Sequence, residues 1–131
     1  MSDPVPGGEI CLVDDDASVL RSMQNLLASD GLSVRAFNKP QEFLDYAAKN
    51  QVAVVVTDVW MGEVTGLEIL ARLCALSPRP KVIVITARED PAARATVMQI
   101  GPAAFFTKPF DGEEFLAAVR DALDQSAHSA S

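Results

Sequence analysis

Between Gln51 and Asp58 the chain runs Val52-Ala53-Val54-Val55-Val56-Thr57, with no charged side chain and β-branched residues at five of the six positions. Successive side chains of a strand point to opposite faces, so a strand with apolar residues at both parities must be covered on both sides. The run therefore predicts a central strand sandwiched between helices, the environment of a parallel sheet. Val82-Ile83-Val84-Ile85 repeats the signal. Two such strands exclude an open, half-solvated antiparallel sheet as the main architecture.

The intervening segments supply the covering helices. Val19, Leu20, Met23, Leu26 and Leu27 recur at helical spacing over residues 18–29, and Gly31 stands where a helix commonly stops. Leu32, Val34 and Ala36 alternate with Ser33 and Arg35, which predicts a partly covered edge strand. Asn38 as N-cap and Pro40 as first helical residue would open a second helix holding Phe43, Leu44 and Ala47. A third helix carries Leu67, Leu70, Leu73 and Cys74 inward and breaks at Ser77-Pro78-Arg79-Pro80. Asp90 and Pro91 open a fourth that ends at Gly101-Pro102, and residues 103–107 form the fifth strand. Asp111, with Glu114 three residues on, starts a last helix whose apolar face is Phe115, Leu116, Val119, Ala122 and Leu123. Residues 1–8 read as a disordered lead-in, residues 9–124 as one α/β domain, and residues 125–131 as a frayed tail or the start of a linker. Alternating strands and helices imply right-handed crossovers and helices on both faces of the sheet.

Several strands end on residues that carry chemistry. Ile10-Cys11-Leu12-Val13 ends on Asp14 and Asp15, the 52–57 run on Asp58, the 82–85 run on Thr86, and the fifth strand near Lys108. In open parallel sheets ligands bind beyond the carboxyl ends of the strands. Taken singly, each residue has an ordinary structural role: one of Asp14, Asp15 and Asp16 caps the first helix, and Asp58 could terminate a turn. Their order, one polar site at each successive strand end, sets them apart. Two carboxylates about 4 Å apart repel by roughly 4 kcal/mol at an effective dielectric of ~20, so the cluster calls for positive charge. Mg2+ and Lys108 would provide it, and three acids, a hydroxyl and an amine suit metal-assisted phosphoryl transfer to a carboxylate.

Composition narrows the classes. A formal net charge of −7 over 131 residues argues against nucleic-acid binding by this chain, since phosphate contacts need clustered Lys and Arg. No apolar run approaches the ~20 residues that span a bilayer, and residues 1–8 lack the pattern of a signal peptide, so a cytoplasmic protein is expected. Cys11 and Cys74 lack the spaced partners of a zinc site and are expected to be reduced.

On Leu12-Val13-Asp14-Asp15-Asp16, Thr57-Asp58 with Met61 and Gly66 downstream, Ile85-Thr86-Ala87 and Lys108-Pro109-Phe110, the chain resembles the response-regulator receiver domains of bacterial two-component systems. The likeness covers residues 9–123. It implies a flavodoxin-like doubly wound (βα)5 fold with strand order 2-1-3-4-5. It further implies that Asp58 is phosphorylated, that Asp14, Asp15, Asp58 and the Trp60 carbonyl hold Mg2+, and that Thr86 and Lys108 contact the phosphoryl group. Phe105 would be the aromatic residue that turns inward with Thr86, although the family more often has tyrosine there. The phosphodonor would be a sensor histidine kinase, since the lone His128 lies in the polar tail. Trp60 and Arg88 match positions that tune hydrolysis of the aspartyl phosphate, and their bulk predicts slow hydrolysis. Gly62 replaces a common proline, and Lys108-Pro109 matches a position where the family favours a cis peptide.

The small residues of the fourth helix predict dimerisation on phosphorylation through the surface of helix four, strand five and helix five. The opening around Asp14-Asp15-Asp16 with Val19, Arg21 and Ser22 is similar to regulators with a carboxyl-terminal helix-turn-helix DNA-binding domain. A free-standing receiver, acting as a phosphate shuttle or docking module, is the alternative. A more distant rival is a haloacid-dehalogenase-type phosphatase, for which Asp14-Asp15-Asp16-Ala17-Ser18 fits the D-x-D-x-[S/T] pattern with Asp14 as nucleophile. That reading leaves Asp58 without a role, and a flavin-binding module lacks a hydroxyl-rich phosphate loop.

Overall fold

The computed structural model describes residues 9–58, 66–73, 75, 80–86, 91–108 and 110–129. Strands β1 (Glu9–Val13), β2 (Val34–Phe37), β3 (Val52–Asp58), β4 (Lys81–Thr86) and β5 (Ala104–Thr107) alternate with helices α1 (Ala17–Ser29), α2 (Pro40–Lys49), α3 (Gly66–Leu73), α4 (Pro91–Ile100) and α5 (Gly112–Ser129). The strands form one sheet in the order β2-β1-β3-β4-β5, and every pairing is parallel. This is the expected doubly wound architecture and strand order.

The two parities of the strands build two cores. Cys11, Val13, Val55, Val82 and Val84 pack with Phe43, Leu44 and Ala47 of α2, Ile69 and Leu73 of α3 and Val97 of α4. On the other face Ile10, Leu12, Val54, Val56, Ile83 and Ile85 pack with Leu20, Met23 and Leu27 of α1 and Phe115, Val119, Ala122 and Leu123 of α5. All seven residues of β3 are buried, as its apolar run requires. Ala53 and Val54 both belong to the α1/α5 side because the β1–β3 register slips between Glu9 and Ile10. One extra residue in β3 resets its parity there, and from Val54 onward strict alternation carries through to Asp58.

Helix ends mostly follow the chemistry of the sequence. Asp16 caps α1, its Oδ1 accepting the N–H of Ser18 at 2.9 Å and of Val19 at 3.4 Å. Asp111 does the same for α5, accepting from Glu113 at 2.8 Å and Glu114 at 3.3 Å. Gly31 after α1 and Gly101 after α4 take positive φ, +78° and +89°, where a β-carbon would be strained.

Two expectations need correction. Lys39, not Asn38, is the N-cap of α2: Pro40 occupies the first helical position, the residue before it is held extended, and the Lys39 carbonyl accepts the first helical bond from Phe43. Asn38 is one residue too early. Helix α5 also continues to Ser129, through most of the segment expected to fray, because no Gly or Pro follows Gly112 to stop it. Ile69, buried at the centre of α3, was not singled out by the pattern. The expected lead-in, Cys74, the 77–79 breaker and Asp90 lie outside the described residues, as do the side chains of Leu67 and Leu70. Cys11 is buried as a free thiol, and burial pushes its pKa up to about 12, so it is an inert member of the core.

Candidate functional site at the carboxyl ends of the strands

Three of the singled-out side chains meet at the sheet rim. Lys108 Nζ lies 3.0 Å from Asp58 Oδ2 and 3.3 Å from Asp14 Oδ2. Asp14, Asp58 and Lys108 continue the parity of the α1/α5 side of their strands, which explains why a lysine following β5 can reach carboxylates at the ends of β3 and β1. Asp14 and Asp58 are 2% and 7% exposed. A pair of carboxylates this dry is held only by charged or hydrogen-bonded partners.

Backbone contacts fix the frame. Asp14 donates its N–H to the Phe37 carbonyl at the end of β2, and its Oδ1 accepts the Asp16 N–H at 2.9 Å. Lys108 donates its N–H to the Thr86 carbonyl at 2.7 Å, tying the end of β5 to the end of β4. Thr57 Oγ1 donates to the Asp58 carbonyl at 3.1 Å. Thr86 is buried and follows Val82 and Val84 in phase, so it belongs to the opposite, α4-bearing side of the sheet. Phe105, on β5 beside Val84, is half-buried on that same side.

Burial pushes the Asp14 carboxyl above its ordinary value; the Asp16 N–H and the Lys108 ammonium oppose this, while the charge of Asp58 adds to it. For Lys108 burial acts downward, but the hydrogen bond to Asp58 and the charges of both acids outweigh it, and its pKa is raised. The lysine is therefore a firmly protonated clamp between two acids.

Asp15 is the exception among the expected acids, since its side chain is exposed and it joins neither ion pair of the cluster. Among the described residues no group of three acidic, histidine or cysteine side chains is placed to hold a metal ion together. Asp14 and Asp58 nevertheless present hard oxygen donors anchored on a common ammonium, and one or two carboxylates with water are what Mg2+ accepts. The donor set thus fits a largely hydrated ion rather than a protein cage. Trp60, Arg88, Met61, Gly62 and Pro109 lie outside the described residues, as does the side chain of His128. Two contacts at this end of the sheet escape the sequence: the Phe37 carbonyl, which no side-chain pattern reveals, and the guanidinium of Arg94, whose carbon sits 5.1 Å from the centroid of the Phe105 ring.

The chain is 39% identical over 116 residues to the transcriptional regulatory protein FixJ of Azorhizobium caulinodans, covering 88% of this chain and 55% of that protein. It is 37% identical over 119 residues to the uncharacterized transcriptional regulatory protein YkoG of Bacillus subtilis, covering 91% and 52%. The chain thus spans about half the length of the curated relatives it matches. Among solved structures, FixJ-N superposes with a TM-score of 0.82 at 29% identity, over 95% of this chain and 96% of that one. The beryllofluoride-activated NtrC4 receiver domain dimer gives 0.83 at 26%, over 90% and 98%. Residues 10–120 match the response regulator receiver domain, and the chain belongs to that family of two-component signalling domains.

Proposed function

We infer that this receiver accepts a phosphoryl group on Asp58 from a histidine of a sensor kinase, and that the change at the rim controls an output elsewhere. The observation that carries this reading is the Asp14–Lys108–Asp58 cluster, in which a strand-end carboxylate is buried yet kept beside a cation. Asp58 Oδ2 points at the ammonium, so an incoming anionic phosphoryl group would meet positive charge at the atom it must join. Lys108 would follow the negative charge as it moves from the carboxylate to the phosphoryl oxygens. Thr86, buried at the adjoining strand end on the other side of the sheet, would bring its hydroxyl to the same group by turning toward it.

Asp14 and Asp58 would hold Mg2+ through their carboxylates, with Asp15 and the Trp60 carbonyl as the further ligands that the receiver resemblance implies. When bound, it would neutralise charge on the transferring group. Trp60 and Arg88, each two residues beyond a site residue, would obstruct an attacking water and lengthen the life of the phosphorylated form.

The relatives are transcriptional regulators twice this length, and we assign this chain the matching role: a signalling input, placed in the cytoplasm, that acts on a DNA-binding output following residues 125–131. No described helix is long and apolar enough to cross a membrane. The face made by α4, β5 and α5 is the dimer surface. In α4, Ala92 and Ala95 are exposed, so a second backbone can approach closely, and the similar NtrC4 receiver is a dimer in its beryllofluoride-activated form.

Incubation with acetyl phosphate and Mg2+, followed by mapping of the base-labile adduct and sedimentation with beryllofluoride, tests Asp58 as acceptor and the dimer surface. A stable adduct on Asp58 and a shift toward dimer are expected. Turnover through Asp14 without an adduct on Asp58 would mark a phosphatase instead, and unchanged sedimentation would remove the dimer.

A further inference from the structure

Helix α4 flanks the side of the sheet that carries Val84 and Phe105. Among its described side chains only Val97 is buried, whereas Ala92, Arg94, Ala95, Thr96, Met98 and Gln99 are exposed. Arg94 still reaches inward, its guanidinium lying over the Phe105 ring at 5.1 Å from the centroid. Phe105 packs against the core layer that contains Val84 and Val97, and its register partner in β4 is Val84. Thr86 is two residues beyond Val84 and in phase with it, so Thr86 and Phe105 occupy neighbouring positions on one face of adjacent strands. The ring consequently borders both the helix and the stretch of sheet that ends at the candidate phosphoryl site.

We propose that Arg94 is a positioning residue, a latch that holds the Phe105 ring toward α4 in the phosphate-free state. The proposal rests on the reading of Asp58 as phosphoacceptor. A guanidinium over an aromatic face draws the ring toward the helix and away from the space beside Thr86. If Thr86 moves toward a phosphoryl group, that space opens, and the ring can fill it only by leaving Arg94. The latch then opposes phosphorylation and ties the position of α4 to the state of the site. Coupling of this kind is reciprocal, so weakening the latch must tighten binding of a phosphoryl mimic.

The test is the affinity of the full chain for beryllofluoride in the presence of Mg2+, read from the emission of Trp60, the single tryptophan. Arg94→Gln is expected to lower Kd about two- to five-fold, the range that one exposed cation–π contact supplies. The sign is diagnostic, because loss of a positive charge would by itself weaken binding of an anion. In a Phe105→Leu background the same substitution should have no tightening effect. An unchanged or higher Kd for Arg94→Gln, or equal tightening with and without the ring, overturns the latch while leaving the phosphoacceptor reading intact. Wild-type protein that fails to bind the mimic, or an Asp58→Asn variant that binds it equally well, overturns both.

Discussion

Lys108→Met is expected to lower stability at pH 7 by roughly 2 kcal/mol and to slow phosphoryl uptake from acetyl phosphate about 100-fold. Both effects come from the same atoms. The ammonium lies 3.0 Å from Asp58 and 3.3 Å from Asp14, so its removal leaves two buried acids facing each other without the cation between them. Its side chain is 21% exposed, and water reaching the gap keeps the loss below that of a fully buried pair. The kinetic effect follows because the acceptor oxygen and the incoming anion would then repel with less positive charge to offset them. Urea unfolding and a time course of adduct formation measure the two effects separately, and a variant that matches wild type in both would contradict this account of the site.

The pH dependence has a defined sign. The pKa of Lys108 is raised, so its stabilisation is complete below the ordinary lysine value near ~10.4 and is lost as pH climbs through the raised value. The pKa of Asp14 is also raised, which for an acid works in the opposite sense. Its burial favours the fold most below the ordinary aspartate value near ~3.9, and that advantage disappears as pH rises through the raised value. At neutral pH the charged form of Asp14 therefore costs some stability. Asp14→Asn should raise the urea midpoint where Lys108→Met lowers it, although each removes one charge from the same cluster.

Phe115→Ala is expected to cost about 3–5 kcal/mol, a large share of the ~5–15 kcal/mol that stabilises a domain of this size. The ring is fully buried on α5 and packs against Phe110 at 5.1 Å and Phe106 at 6.1 Å between centroids. It belongs to the core cluster shared by the sheet, α1 and α5, so its loss leaves a cavity at the centre of that layer. Met98→Ala, at a residue 52% exposed, should change stability by no more than ~0.5 kcal/mol. Near-equal urea midpoints for the two variants would show that α5 does not close this core.

Most of the fold was legible because burial writes itself into sequence periodicity. The run from Val52 required cover on both faces, Val34 and Ala36 marked an edge, and Phe115, Val119 and Ala122 marked a helix face, as the structure shows. What the pattern missed depends on geometry that periodicity does not encode. Asn38 and Lys39 differ as caps only through the position of Pro40, and the slip beside Ala53 depends on how β1 and β3 pair. The site was legible in part for a related reason. Strand ends announced Asp14, Asp58 and Lys108, and their parity brings them together. Asp15 and Asp14 are adjacent and chemically identical, yet one is exposed and the other buried, a distinction that requires the path of the chain into α1. Arg94 sits on an exposed helix, and nothing in its spacing reveals the Phe105 ring beneath it.

The most direct measurement compares wild type with Asp58→Asn after exposure to acetyl phosphate and Mg2+, by intact mass and by peptide mapping. The account predicts near-stoichiometric, base-labile phosphate on the wild-type peptide that contains residue 58 and none on the variant, with both proteins folded. Equal phosphate on the variant, or wild-type phosphate confined to another residue, would contradict it.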